Sequence, residues 1–441
     1  MHAAYVERLV DRMDPAGNVL LNMTFEEALE AVGSGDPQRV SQIDGQFAII
    51  HQSGKTVRMA RSIGRPMRYF LAKQTDGPCL IVAERISEIA DWLKENGMSR
   101  QFHPSYTRMV PAHHVVELSL LGCPDPNPTY SRFLAPERNS LSADLDELGR
   151  TYIGTLQTEL DKWLDTIDPQ EPIGVLFSGG IDSGSVFLVL YDLLLKRGES
   201  PARLKAFTLS IEGRGDDAAQ AKQFLDRLGL GLFLEIIERP VDAIRLADAI
   251  RIIEDYKPLD VQSAAMALAL CEGIRERYPD WKYLADGDGG DENLKDYPIE
   301  DNPELTIRSV LNNMMLYQEG WGVHAVKHSL TFSGGQSRGH VRSSAPARVL
   351  GFRGFSPYAL PSVITVAESI PFIDLTGWDH RKLYALKGEI VSRGVKAATG
   401  IDMPVFEKRR FQHGTMDRDT FRNRFPAAED AYRAEFLRLF A

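Results

Sequence analysis

Cysteine is scarce in this 441-residue chain: Cys79, Cys123 and Cys271 are all there is, widely spaced and odd in number. That pattern excludes a disulfide framework and a CxxC pair, and it predicts a reducing, cytoplasmic setting. A basic surplus is absent as well. There are 51 Lys and Arg against 61 Asp and Glu, a net charge of −10, so counterion release cannot drive nonspecific binding to nucleic acid. No apolar run approaches the roughly 20 residues of a membrane helix, and the first residues hold no signal-like apolar core. Neither a nucleic-acid nor a membrane partner is expected. No internal repeat is present.

What the sequence does contain predicts two domains, the usual outcome for a chain of this length. From about 20 to 120 it reads as short β-segments. Gln46–Ile50 and Thr56–Ala60 flank a Ser53-Gly54 turn, a hairpin pattern, and Cys79–Ala83 and His114–Leu118 are further strands. A proline-rich stretch at 122–142 reads as a linker. A long amphipathic helix is expected over 143–166, and from 173 apolar strands alternate with helices. Strands are expected at Ile173–Phe177, Leu204–Ile211, Leu232–Ile237 and Lys282–Ala285, with helices at Ser185–Lys196 and Ala218–Leu228. This alternation predicts an α/β fold with a parallel sheet covered on both faces. After about 300 the text is mostly helical, broken by a Gly/Ser/Arg loop at 333–344. The expected division is a β-rich domain at 1–125 and a larger α/β domain at 143–441.

Chemistry concentrates where Ile173–Phe177 runs into Ser178-Gly179-Gly180-Ile181-Asp182-Ser183 and then a helix. Two glycines let the backbone approach a triphosphate, the hydroxyls of Ser178 and Ser183 add donors, and the helix N-terminus favours negative charge. Asp182 makes sense there as a Mg²⁺ ligand. Two other strings are set aside. Gly54-Lys55-Thr56 imitates a phosphate loop, but Ile49 stands where the first glycine is required. His113-His114 lacks companion ligands at metal spacing.

The string Ser-Gly-Gly-x-Asp-Ser resembles the PP-loop of N-type ATP pyrophosphatases. Leu284-Ala-Asp-Gly-Asp-Gly-Gly-Asp-Glu292, followed by Tyr297, resembles a loop of the asparagine synthetases within that group. The resemblance implies Asp291 as a second Mg²⁺ carboxylate, Asp288 beside the reacting acyl group, and Asp286 and Gly287 near the adenine. It also implies Leu176 and Leu209 along the adenine, although both would serve equally as core leucines. Glu407–Gly414 resembles a family segment whose lysine meets the departing pyrophosphate, which makes Lys408 a candidate for transition-state stabilisation. Lys387 resembles a further basic position.

Toward the front, Asp44-Gly45-Gln46-Phe47-Ala48, Arg61 to Tyr69 and Val82 to Arg85 resemble the later half of a class II glutamine amidotransferase domain of Ntn-hydrolase type. No cysteine precedes Cys79, so this partial domain is expected to be structural and inactive as a glutaminase. A family Gly-x-Glu-x-Arg-x-Pro-Phe string reads here Gly351-Phe-Arg353-Gly-Phe355-Ser-Pro357-Tyr358. The resemblance puts this exchange near the acyl substrate, where a charge reversal argues against aspartate.

The function these resemblances imply is an AMP-forming ligase that uses ATP and Mg²⁺ to join a small carboxylic acid to an amine or ammonia. The ammonia could come from a separate source, and a homodimer is possible. Two alternatives are an intramolecular lactam-forming synthetase of the β-lactam synthetase type and a non-catalytic nucleotide-binding scaffold. The leading reading requires Asp182 and Asp291 to converge with the space between them open for cations.

Overall fold

The computed structural model of the chain describes residues 8–72, 79–120, 128–213, 215–296, 311, 342–406 and 415–440. The front region is built from two four-stranded sheets. One runs Arg8–Asp11, Cys79–Ala83, Arg68–Ala72, Arg108–Met109, and the other Thr129–Arg132, His114–Ser119, Thr56–Arg61, Ala48–Ser53. Because side chains alternate along a strand, each sheet has two faces to cover. Val57, Met59, Leu80, Val82, Val116 and Leu118 fill the space between the sheets. On the outer faces, Phe47, Ile49 and Ala60 pack with the helix Phe25–Ser34, and Phe70, Ile81 and Ala83 with the helix Ile86–Glu95. The layering is helix–sheet–sheet–helix, and the front region is β-rich as the sequence led us to expect. Thr24 and Glu27 start the first helix as a reciprocal capping box.

Thr129–Arg132 lies inside the stretch read as a linker, yet it forms the edge strand beside His114–Ser119. Proline and polar residues marked an edge, not a break.

The second region opens with the helix Leu145–Asp165, capped by Asp144. Five parallel strands follow in the spatial order Leu234–Arg239, Leu204–Ile211, Ile173–Leu176, Tyr283–Ala285, Arg353–Phe355. Counted along the chain, the order is 3-2-1-4-5. The fifth strand falls where the sequence read as helical; three residues between the Gly351 turn and Pro357 give too short a period to detect. Apolar side chains from both faces feed two large cores, one around Leu204 and Ala206, the other around Phe207, Leu209 and Ile211. Strand order reverses between Ile173–Leu176 and Tyr283–Ala285, and the crevice at such a reversal is where open α/β sheets bind ligands. Among the described residues no helix is long and apolar enough to cross a membrane.

Candidate active site

Both chemistry-bearing loops leave the sheet at that crevice. Phe177 continues the ladder, its N–H donating to the Phe207 carbonyl at 2.8 Å. The chain then turns through Ser178–Gly180 into the helix Ile181–Lys196. Gly179 holds a left-handed φ of +72°, and a Cβ there would sit 2.8 Å from the Ala221 backbone nitrogen. Inside the turn, the Ser183 hydroxyl accepts from Ser178 N–H at 3.2 Å and the Ser178 hydroxyl from Gly180 N–H at 3.3 Å.

The second loop locks onto the first through its glycines. A Cβ at Gly287 would lie 2.7 Å from Ser183 N, and one at Gly290 only 2.2 Å from Asp182 Oδ1. Real Cβ atoms do not approach that closely, so the backbone contact demands glycine at 287, and a side chain at 290 would push the Asp182 carboxylate out of place.

A third segment supplies charge. Lys387 lies on the helix Leu383–Thr399, which crosses Leu145–Asp165 at backbone contact. A Cβ on Gly394 would meet the Gly149 carbonyl at 2.3 Å, and one on Gly149 the Ile390 carbonyl at 2.6 Å. This close crossing delivers the Lys387 ammonium to Asp182 Oδ2 at 2.6 Å and into contact with Asp291, with Asp296 at 3.9 Å. Burial alone would lower the lysine's pKa. The three aspartates more than offset that and hold it well above its ordinary value.

Asp182 and Asp291 therefore converge, but the space between them is not open as the sequence reading required. Two half-buried like charges this close need a counter-charge, and here the protein's own ammonium provides it.

Around this point lies a cavity of about 210 Å³ lined by Leu176, Ser178, Gly180, Asp182, Ser183, Asp286, Gly287, Asp288, Asp291 and Lys387 from the expected set. Leu209 is not on its wall. Fully buried, it faces the core with Phe207 and Ile211. Lys408 and Tyr297 lie outside the described residues, as does most of the 333–344 loop. Arg353 is also not on the wall. It begins its strand, paired with Tyr283 at the end of the sheet away from the loops, and its guanidinium lies over the Tyr283 ring at 5.7 Å. Phe355 stacks on Trp163 at 4.6 Å. The charge reversal thus falls on the sheet and not on the cavity wall.

Further residues enter that sequence reasoning had given no role. Arg342 reaches Glu292 at 3.7 Å and Asp288 at 4.0 Å, and Ser343 bonds to Asp288. Burial pushes Asp288 up to about 6, Arg342 works against the rise, and Glu292 adds to it. Asp286 is raised well above its ordinary value, by burial first and then by the charge of Asp288. It accepts from the Ser356 hydroxyl and from Asp288 N–H, each at 3.0 Å. Glu292 stood inside the quoted loop and could have been flagged; Arg342 gave no signal beyond a basic residue in a Gly/Ser stretch. Among the described lining residues, Asp182, Asp217, Asp286, Asp288, Asp291 and Glu292 face only Lys387 and Arg342.

A parallel α/β domain with a glycine-bearing turn and a second acidic loop at its switch point defines a nucleotide-binding domain of the PP-loop class. By comparison, residues 166–347 match the family model described as asparagine synthase, so that segment resembles the synthetase domain of the asparagine synthetases. A relative, the amidase chyE of Penicillium rubens (strain ATCC 28089 / DSM 1075 / NRRL 1951 / Wisconsin 54-1255), is 26% identical over 208 residues. Those residues are 45% of this chain and 30% of that protein. The chain thus spans less than a third of that relative's length.

Proposed function

We propose that the protein adenylates a substrate carboxylate with ATP and passes the acyl group to an amine or ammonia, releasing pyrophosphate and then AMP. The observation that supports this best is the meeting of Asp182 and Asp291, from two strand ends, at one cationic point inside a cavity that also holds Asp288. In this reading the turn at Ser178–Ser183 binds the phosphates through backbone N–H groups and hydroxyls. The substrate carboxylate attacks the α-phosphorus, and the bond to the β-phosphate oxygen breaks. The amine then attacks the acyl carbon, Asp288 takes its proton, and AMP leaves.

Magnesium would be held by the hard carboxylate oxygens of Asp182 and Asp291, which meet at one point that Lys387 occupies here and would have to leave. Bound with the nucleotide, Mg²⁺ would supply the positive charge that an acidic cavity needs to accept a triphosphate. Lys387, a flexible four-carbon arm, exchanges its carboxylate partners for phosphate oxygens, with Lys408 as the second candidate at the departing pyrophosphate. The amidase relative bears on amide chemistry only by its name.

The test is a panel of carboxylic acids incubated with ATP and Mg²⁺, with and without ammonium, with nucleotide products resolved by mass. AMP and pyrophosphate should form only with the right acid. Formation of ADP would sink the reading.

A further inference from the structure

We propose that the front region is a positioning scaffold for the acyl end of the cavity, gripping it through Gln46 on Ser356 and through Glu84 on Arg348. This rests on the adenylation reading only in the word acyl; the grip itself is geometric.

The first link is short. The Gln46 side-chain amide donates to the Ser356 carbonyl at 3.0 Å, and the Ser356 hydroxyl donates to Asp286 at 3.0 Å. All three residues are buried. Beside them, Ile63 and Ala112 of the front region pack on Ala359 and Ile364.

The second link runs through the helix Ser344–Val349, which directly follows Arg342 and Ser343, the pair that bears on Asp288. Its Arg348 is ion-paired with Glu84, which Arg65 also approaches at 3.5 Å. Two residues beyond Glu84 the contact is reversed, because the helix Ile86–Glu95 takes a cap from the other region. Glu254 accepts from Ile86 N–H at 2.6 Å while pairing with Arg68 at 2.7 Å. It holds a left-handed φ of +55°, ending the helix Leu246–Ile253. Ile86 itself sits in the apolar core of the second region.

The two ends of the cavity are therefore held differently. At the phosphate end, Gly287 and Gly290 interlock with the turn and need nothing from outside. The acyl end, at Asp288, is walled by Arg342 and Ser343; the helix that follows them and the Ser356 carbonyl beside Asp286 are held by side chains of the front region. An ion pair or a charged hydrogen bond removed from one of them leaves that segment free to open locally.

The experiment is amide hydrogen exchange on the full chain, paired with Mg·ATP affinity by calorimetry. In Arg348→Gln, exchange across 344–349 should rise about tenfold, and in Gln46→Leu the same should hold across 353–358, the size expected for one lost charged or buried hydrogen bond. The helix 181–196 should stay unchanged, and Mg·ATP affinity should stay within about twofold of the parent. Arg348→Lys keeps the charge and should keep the protection. Unaltered exchange in those segments overturns the proposal, and so does a rise spread evenly over the chain. If the parent protein fails to bind Mg·ATP, the adenylation reading fails alone, because the exchange pattern still decides the scaffold.

Discussion

Lys387 with Asp182 and Asp291, and Arg68 with Glu254, are built from the same ingredients. Each cation is almost fully buried, 2% exposed in one case and 3% in the other. The carboxylates differ. Glu254 is as sealed as its partner and spends its oxygens on Arg68, Arg85 and the start of a helix. Asp182 and Asp291 remain 20% and 32% exposed, opening onto a cavity. A buried charge pair is therefore no marker of function by itself. The marker is an opening toward space that a ligand can enter.

Four measurements would break or sharpen that contrast. The largest effect is expected at the sealed pair: Glu254→Ala strands Arg68 and uncaps Ile86–Glu95, so denaturant unfolding should show a loss of about 3–5 kcal/mol. At the open pair, Asp182→Asn should leave stability nearly untouched and cut AMP formation by roughly 10²–10³-fold. Equal effects of both variants on stability would erase the distinction. Gly394→Ala forces apart the helices that present Lys387, and it should cost about 1–3 kcal/mol together with a drop in AMP formation.

The smallest effect is in pH. Asp288, held at about 6, must be ionised to take a proton, so amide formation should fall roughly tenfold per pH unit below about 6. Stability should move the other way. A folded-state value above the ordinary 3.8 means that ionisation opposes folding above about pH 6, and this penalty fades as pH falls toward 4. A flat activity profile between pH 5 and 7 would remove Asp288 from the proton-taking role.

Much of the synthetase region was legible because its signals are local. Leu204–Ile211 is a strand over the expected residues, and Ile173–Leu176 and Tyr283–Ala285 differ from expectation by one residue at an end. That Asp182, Asp288, Asp291 and Lys387 line one cavity agrees with two loops and one helix position that resemble a family. Tertiary geometry hid the rest. Whether a leucine on a buried strand faces a ligand or a helix depends on which face the sheet turns, and Leu209 turned inward. Arg353 could be placed near a substrate only by assuming that its strand presents that position to the crevice; the strand begins there instead, at the opposite edge. The pairing of Arg342 with Glu292 joins positions 50 apart (342 − 292), which no periodicity reports.

The seating of Gly287 against the backbone of the Ser178–Ser183 turn, and of Gly290 against the Asp182 side chain, has a consequence for redesign. Those two stretches behave as a single machined part: neither can be exchanged for a homologous piece without bringing its mate, since any added methyl would drive them apart. Freedom to alter what the protein accepts lies across the cavity, at Arg342 and Ser343 and along the helix face of Ser263, Ala267 and Leu270. There, side chains meet side chains and can be traded one at a time.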